Sequence, residues 1–390
     1  MIIGNGAQLK KVMQETAKYK ELKDGLWSVR EEPWSMAAIN IYDEHYLRGV
    51  LAASASKQAP IIAEVSASSA AALGDGSIVR GLNQLGRTLE NIADNPDHLV
   101  FKGLDGKNYE LLLDDAMIFL YLDHFVVGDY LKKNDGNFDK TLLQVEKLFQ
   151  EIAKIPLLAG GMIDAGAVPL EQNIKVSKIV ADILKAKHKF VEAEYSATGG
   201  LGEEASGHEQ FSKTTKDDRK KLVEAIRAYG KEVNPDALAY NAGATHVAIA
   251  GQKSKLDWDL IEEVQKADVK MGTYRGYPIH GGSSAADDEL IANRGLYWKI
   301  NKATEPKRDA MGAIARYITK NLRAVEADLT GDISLVLGDK KLIDEVHHPK
   351  NISFPPRETT MLFAAKYLDI VGSRGKAYLL KETILKVKAQ

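Results

Sequence analysis

The feature that most constrains the fold is a regular alternation of short apolar runs with longer amphipathic segments along the 390 residues. The short runs have the length and composition of buried strands, and the segments between them are long enough to cross back over a sheet. This alternation predicts a parallel sheet covered by helices, and eight strands would close it into a single (β/α)8 TIM barrel. The predicted strands are residues 36–39, 59–65, 116–122, 155–163, 190–194, 237–241, 276–279 and 297–300.

The segments between the strands carry helical spacing, and two of them depart from a minimal barrel. Residues 73–113 are longer than one crossover helix requires, which predicts a helix with an elaboration after the second strand. Residues 197–216 are rich in Gly, Ser, Thr and Glu, which predicts a long loop of the kind that closes over catalytic sites. We expect one domain over residues 1–390, with a C-terminal helical extension over 330–390. The predicted helices are residues 44–57, 174–187, 217–229, 257–266 and 307–326.

Composition excludes several classes of function. Lysine and arginine total 52 against 54 acidic residues, so no basic field indicates a nucleic acid or an anionic membrane as partner. The chain has no cysteine, which leaves histidine and carboxylate as the available metal ligands. No run reaches the roughly 18 apolar residues that span a bilayer, and residues 1–20 lack the apolar core of a signal peptide. We therefore expect a cytoplasmic protein.

Three histidines lie far apart in the sequence, and each follows a predicted strand. His124, His246 and His280 all come after a short apolar or small-residue run and before a turn. A closed parallel sheet would bring the three imidazoles to one rim. Three neutral imidazoles around one point form an open catalytic zinc site, in which a fourth position is left for water or substrate. For the other histidines we expect ordinary structural roles: His45, His98, His188, His208, His347 and His348.

Several short motifs near the strand ends occur in an order that is typical of one enzyme family. They are Leu-Asp-His at 122–124, Met-Ile-Asp at 162–164, Glu-Ala-Glu at 192–194, Thr-Gly-Gly at 198–200, His246, His-Gly-Gly-Ser at 280–283 and Asn301. With these motifs the chain resembles the class II, zinc-dependent fructose-bisphosphate aldolases, as a divergent member. The resemblance implies a barrel enzyme that cleaves fructose 1,6-bisphosphate into dihydroxyacetone phosphate and glyceraldehyde 3-phosphate. It also implies a homodimer or a higher homo-oligomer.

The resemblance assigns the metal chemistry to residues of this chain. Cleavage next to a ketone leaves an enediolate, whose charge a bound divalent metal stabilises as a Lewis acid. His124, His246 and His280 would hold this Zn²⁺. Asp164 and Glu194 would be ligands of a second or alternative cation position, or carboxylates that orient the imidazoles.

Two proton-transfer positions follow from the same comparison. Asp123 lies beside a metal-ligating histidine, where its carboxylate would exchange a proton with the substrate hydroxyl at the breaking bond. A second base, in the family a glutamate, moves the proton at the dihydroxyacetone phosphate carbon. The family's acidic pair directly follows Gly-Gly, whereas this chain has Leu-Gly before its pair at 203–204. Glu204 and Glu203 therefore both remain candidates, and we favour Glu204.

The resemblance also predicts how the substrate and its phosphates are held. Gly281 and Ser283 belong to a turn whose backbone amides and hydroxyls suit an anion. Asn301 would contact the enediolate. A late arginine would bind the distal phosphate from across a dimer interface, and a guanidinium fork suits that task. This arginine is Arg357. The other implied contact positions are Asn40, Ser66 and Thr304.

One departure from the family leaves the substrate open. The family usually has glycine directly after its second zinc histidine, whereas this chain has Val247. Valine restricts the backbone conformations and the close phosphate approach that glycine permits, so we expect a differently built pocket. One alternative is therefore an aldolase for another ketose phosphate, such as tagatose 1,6-bisphosphate or a sulfonated sugar phosphate. A second is a non-catalytic barrel subunit, which would have lost a zinc ligand or the acid/base residue.

Overall fold

The computed structural model describes residues 1–21, 27–95, 100–102, 108–110, 113–195, 216–243, 256–281, 285–302 and 356–387. Strands and helices alternate along most of these residues. The strands are β1 (Ile2–Ile3), β2 (Tyr19–Glu21), β3 (Trp27–Val29), β4 (Met36–Asn40), β5 (Pro60–Ser66), β6 (Val100–Lys102), β7 (Asn108–Glu110), β8 (Met117–Val126), β9 (Leu158–Asp164), β10 (Phe190–Glu194), β11 (Ala237–Ala239), β12 (Pro278–Ile279) and β13 (Lys299–Lys302).

Helices cover the outside of the sheet and close its base. The α-helices are Gly6–Thr16, Glu44–Lys57, Ala67–Leu73, Ile78–Asp94, Val127–Lys133, Phe138–Ile152, Leu170–Lys185, Lys216–Val233, Trp258–Lys270, Asp287–Ala292, Pro356–Ile370 and Lys376–Leu385, and Leu113–Asp115 is a 3-10 turn. Among the described residues, no helix combines the length and the apolarity needed to cross a membrane.

Parallel strands form a nearly closed barrel in the order β11, β10, β9, β8, β5, β4, β13, β12. The two ends of this order meet at Gly276, which pairs in parallel with Ala237 and accepts a hydrogen bond of 2.9 Å from the backbone N–H of Leu238. The predicted TIM barrel is therefore confirmed, and each of the eight predicted strands overlaps one strand of this order.

Some predicted boundaries were wrong. The third barrel strand, β8, continues to Val126 instead of ending at residue 122, because an irregularity in its pairing with β9 lets the strand resume beyond it. The last, β13, covers residues 299–302 rather than 297–300.

The predicted elaboration within residues 73–113 is the helix Ile78–Asp94 and an antiparallel hairpin of β6 and β7. The predicted helix at 307–326 lies outside the described residues.

The base of the barrel is apolar. Successive side chains of a strand face opposite sides of a sheet, so only alternate residues point into the barrel. Met36, Ile62, Phe119 and Phe190 form one buried cluster with residues of the helix Gly6–Thr16, which lies across the base. A second and larger apolar cluster fills the layer between the strands and the outer helices.

The N-terminal helix is well anchored at the base. Asn5 and Gln8 form a reciprocal capping box at its start, which satisfies backbone N–H groups that a helix end leaves unpaired. The preceding strand β1 adds to β8 in parallel, with Ile2 opposite Met117. The Gln8 side chain donates a hydrogen bond of 3.0 Å to the backbone oxygen of Ile384 in the C-terminal helix.

Two adjacent glycines of β9 provide a test of the packing between neighbouring barrel strands. A Cβ added at Gly160 would lie 2.3 Å from the backbone oxygen of Phe190, whereas one added at Gly161 would lie 3.5 Å from its nearest neighbour, Leu122. We expect Gly160→Ala to lower the free energy of unfolding by about 1–3 kcal/mol, as overpacking does. Gly161→Ala should change it by less than about 1 kcal/mol. Urea unfolding of both variants measures the difference, and equal losses would contradict this account of the strand contact.

Candidate active site

Polar side chains from five barrel strands converge at the rim formed by their carboxyl ends. This is the end of a parallel barrel at which side chains from distant parts of a chain can meet. The converging residues are Asp123 and His124 in β8, Asp164 at the end of β9, Glu194 at the end of β10, His280 directly after β12, and Asn301 in β13.

His124 occupies an unusual backbone conformation. Its φ is 42°, in the left-handed region, which costs an ordinary residue about 1–2 kcal/mol. The strain coincides with the register shift between Leu122 and Phe125 in the pairing of β8 with β9. Bulges of this kind re-aim side chains, and here Asp123 and His124 both contribute to one site although neighbours in a regular strand face opposite sides.

His280 is almost completely buried, and its two ring nitrogens have different partners. Nε2 lies 2.8 Å from Oε1 of Glu192. Nδ1 lies 3.0 Å from Nε2 of His124 and 3.0 Å from Nδ2 of Asn301. A carboxylate can only accept, so Nε2 carries the proton and Nδ1 presents its lone pair to the site.

Asn301 links Asp123 to the histidine pair. Its Nδ2 donates to Oδ1 of Asp123 at 3.2 Å and lies within hydrogen-bonding distance of His280. Asp123 is 1% exposed, so a fixed hydrogen-bond donor is needed to hold its carboxylate in one orientation.

Two more carboxylates lie on the other side of His124. Oδ2 of Asp164 is 3.6 Å from Nδ1 of His124, and its Oδ1 accepts a hydrogen bond of 3.2 Å from the backbone of Gly166. Glu194 is buried beside them. One potential ligand atom from each of His124, Asp164 and Glu194 lies within 4.8 Å of the others.

These carboxylates make the site strongly attractive to positive charge. Burial lowers the pKa of His124, but Asp123, Asp164 and Glu194 together raise it to about 10. Burial raises the pKa of Asp164, yet His124 outweighs burial and brings that pKa below its ordinary value. A cation placed among these groups is stabilised by the same field.

The donor set fits a divalent metal such as zinc. Asp123, His124 and His280 each offer one ligand atom within 4.8 Å of the other two. Two imidazole nitrogens at corners of a zinc tetrahedron lie about 3.3–3.4 Å apart, since Zn–N bonds are about 2.0–2.1 Å long. The Nε2 of His124 and the Nδ1 of His280 are 3.0 Å apart, close to that spacing. The third predicted histidine, His246, lies outside the described residues.

Comparison with known proteins agrees with this geometry. The family model described as "Fructose-bisphosphate aldolase class-II" matches residues 20–376 of the chain. The chain belongs to the class II fructose-bisphosphate aldolase family.

Individual relatives of this class II aldolase are distant. The fructose-bisphosphate aldolase of Streptococcus pyogenes serotype M1 is 24% identical over 353 residues, covering 90% of this chain and 96% of the relative. The crystal structure of fructose-bisphosphate aldolase from Campylobacter jejuni is 19% identical with a TM-score of 0.57, covering 95% and 96% of the two chains. The YdjI aldolase from Escherichia coli K12 is 17% identical with a TM-score of 0.51, covering 88% and 94%. The fold is therefore shared, and the family as a whole is metal-dependent.

Three further predicted site residues of this aldolase lie at strand ends or in the turn after His280. Asn40 and Ser66 end β4 and β5 at the same rim, and Ser66 lies opposite Asp123 in the sheet register. The Ser66 hydroxyl caps the helix Ala67–Leu73 by accepting from the backbone of Ser69 at 3.2 Å. Gly281 has a positive φ of 63° directly after His280.

Other predicted residues are not described. The backbone of Arg357 belongs to the helix Pro356–Ile370, and its side chain lies outside the description. The predicted loop at 197–216 is undescribed up to residue 215. The predicted residues that lie outside the described part of the chain are Glu203, Glu204, His246, Ser283 and Thr304.

The role of Glu192 was not predicted from the sequence, although this residue belongs to the Glu-Ala-Glu motif at 192–194. The structure shows that this glutamate binds a nitrogen of His280. A signal was present, because Glu192 and Glu194 are separated by two positions in a five-residue strand and therefore face the same side. Lys299 and Asn301 show the same spacing in β13.

Removal of either rim histidine provides the test of the metal site. We expect His124→Ala and His280→Ala each to weaken divalent-metal binding on the order of 100-fold or more, since each removes a donor without changing the barrel core. The exposed His45, at the start of the helix Glu44–Lys57, provides the control variant His45→Ala. Metal content after dialysis, with circular dichroism as the check on folding, measures the effect. Full metal content in a rim variant would remove that histidine from the ligand set.

Proposed function

We propose that this protein is a zinc-dependent aldolase that reversibly cleaves fructose 1,6-bisphosphate to dihydroxyacetone phosphate and glyceraldehyde 3-phosphate. The observation that carries the proposal is one constellation at the rim: the buried Asp123, held by Asn301, lies beside the paired imidazoles of His124 and His280. Family membership supports a carbon–carbon lyase, and the relatives, which are fructose-bisphosphate aldolases by name, favour fructose bisphosphate as substrate.

The chain's own residues would prepare the metal centre. His124, His280 and, from the sequence, His246 would hold the zinc, which supplies Lewis-acid stabilisation of charge at the substrate carbonyl oxygen. Glu192 keeps the proton of His280 on Nε2, so that Nδ1 is available as a ligand. Asp164 and Glu194 flank the opposite face of His124 and would orient it or hold an alternative cation.

Asp123 is our candidate for proton exchange with the substrate hydroxyl at the breaking bond. Asn301 donates a hydrogen bond to its carboxylate and holds it beside the histidine pair, the fixed placement that a group exchanging a proton with the substrate requires. The Oδ1 atom of Asn301 is buried and has no hydrogen-bond partner among the described residues. This acceptor would bind a substrate hydroxyl, since buried polar atoms are normally paired in the working state.

Residues outside the described part of the chain would complete the reaction. We propose Glu204, or its neighbour Glu203, as the base at the dihydroxyacetone phosphate carbon. The turn that begins at Gly281, with Ser283, and also Thr304 would bind one phosphate. Arg357 would bind the other from the second subunit of a cytoplasmic homodimer.

Another ketose phosphate is the second candidate substrate, because Val247 replaces the usual glycine after His246. The two candidates share the metal and acid/base chemistry and differ in how the phosphate end is held. They are separated by substrate preference alone.

A retro-aldol assay on a substrate panel tests the function. We expect the zinc-loaded protein to cleave fructose 1,6-bisphosphate with a higher kcat/KM than tagatose 1,6-bisphosphate or a sulfonated sugar phosphate. A chelator should abolish the activity and added zinc should restore it. A higher kcat/KM for another ketose would assign that substrate instead. Chelator-resistant cleavage would overturn the metal dependence, and a folded, zinc-loaded protein that cleaves none of them would count against the aldolase function and favour the non-catalytic barrel.

Asp123→Asn separates proton transfer from metal binding. We expect kcat to fall on the order of 10²-fold or more while zinc content stays unchanged, because asparagine keeps the shape but cannot exchange the proton. The exposed Asp139 supplies the matched control Asp139→Asn, which should retain wild-type kcat. Zinc and activity lost in parallel in Asp123→Asn would instead make Asp123 a support for His124.

A further inference from the structure

A fully buried lysine lies inside the barrel beneath the candidate metal site. Barrel interiors of this kind are filled mainly by branched apolar side chains, so a charged residue there needs a reason. The ammonium of Lys299 forms an ion pair with Oε1 of Glu64 and lies 3.3 Å from Oε2 of Glu192, and all three side chains are 0% exposed. It also lies 4.9 Å from the centre of the Tyr121 ring.

Glu192 connects this lysine to the rim. One of its carboxylate oxygens faces Lys299, and the other, Oε1, lies 2.8 Å from Nε2 of His280. The contacts therefore form a continuous chain from Glu64 through Lys299 and Glu192 to His280. The last member of this chain is one of the proposed zinc ligands.

The charge on Lys299 is maintained by its surroundings. Burial lowers the pKa of Lys299, but Glu192, Glu64 and Asp123 outweigh burial and raise it well above the ordinary value. An ammonium held between two carboxylates fixes the rotamers of both, because each would otherwise be a buried charge without a partner.

We propose that Lys299 is a positioning residue of the metal centre: by holding Glu192 it fixes the ring orientation and the tautomer of His280. This inference rests on the proposed metal-dependent function. Groups that hydrogen-bond to a metal-ligating histidine typically change metal affinity 10–100-fold when they are removed, and Lys299 acts one contact further back.

A second buried lysine in the same strand provides a matched control. Lys302 is also 0% exposed, but it lies three residues further along β13 and faces the outer helices, with its Nζ 4.3 Å from the centre of the Tyr367 ring. Lys299→Met and Lys302→Met thus each remove one buried ammonium from β13. Only the first removes the contact to Glu192.

The experiment uses the full-length, metal-free protein with ¹⁵N-labelled histidine. In the wild type the His280 resonances, assigned by their loss in His280→Ala, should show a proton on Nε2. Lys299→Met should shift His280 toward the other tautomer or a mixture, and should weaken cobalt(II) binding about tenfold or more. Lys302→Met should leave the tautomer and the cobalt affinity unchanged, whatever its effect on the melting temperature. Lys299→Gln, which can still donate to one carboxylate, should give an intermediate result.

The outcomes separate this inference from the proposed function. A wild-type spectrum with the proton on Nδ1 would overturn the positioning role even if no Lys299 variant folds. A folded Lys299→Met with wild-type tautomer and cobalt affinity would overturn it while leaving the aldolase proposal intact. A shifted tautomer in a protein that never binds cobalt would support the contact chain and count against the metal centre.

Discussion

Only every second side chain of a barrel strand faces inward, and this limited set of positions serves three purposes in the protein. The base is apolar and packs against the N-terminal helix. The middle level carries the ionic contacts between Lys299 and its two glutamates. The rim carries the side chains that approach substrate and metal. The levels follow one another along single strands, as in Ile62, Glu64 and Ser66 of β5, or Phe119, Tyr121 and Asp123 of β8.

The ionic level links the stability of the barrel to the geometry of its site. Charges in a low-dielectric interior are tolerated only when each has a partner. Removal of one partner leaves the others as buried charges without compensation, which destabilises the fold. Glu192 faces Lys299 on one side and His280 on the other, so the same carboxylate satisfies the interior and orients the rim. The site is therefore supported from below by the barrel strands.

Much of the fold and part of the site could be predicted from the sequence, for identifiable reasons. The eight strands were recognisable because each is a short apolar run between helical segments. Asp123, His280 and Asn301, which the structure brings together at the rim, were candidates because each directly follows a predicted strand run. The left-handed backbone of His124 had no sequence signal, since a histidine gives none and the bulge is set by pairing with β9. Lys299 and Glu64 were missed because their partners lie 107 or more residues away and only the closed barrel brings them together.

The base of the barrel has a consequence for how the chain is made. Gln8 and Ile384, which are joined by a hydrogen bond, are separated by 376 residues, and β1 pairs with a strand that begins at Met117. Contacts over such separations form late, because the entropy of closing a long loop must be lost before the contact can form. The hydrogen bond between Gln8 and Ile384 therefore cannot form until the C-terminal helix has left the ribosome, although the N-terminal helix that donates it is synthesised first.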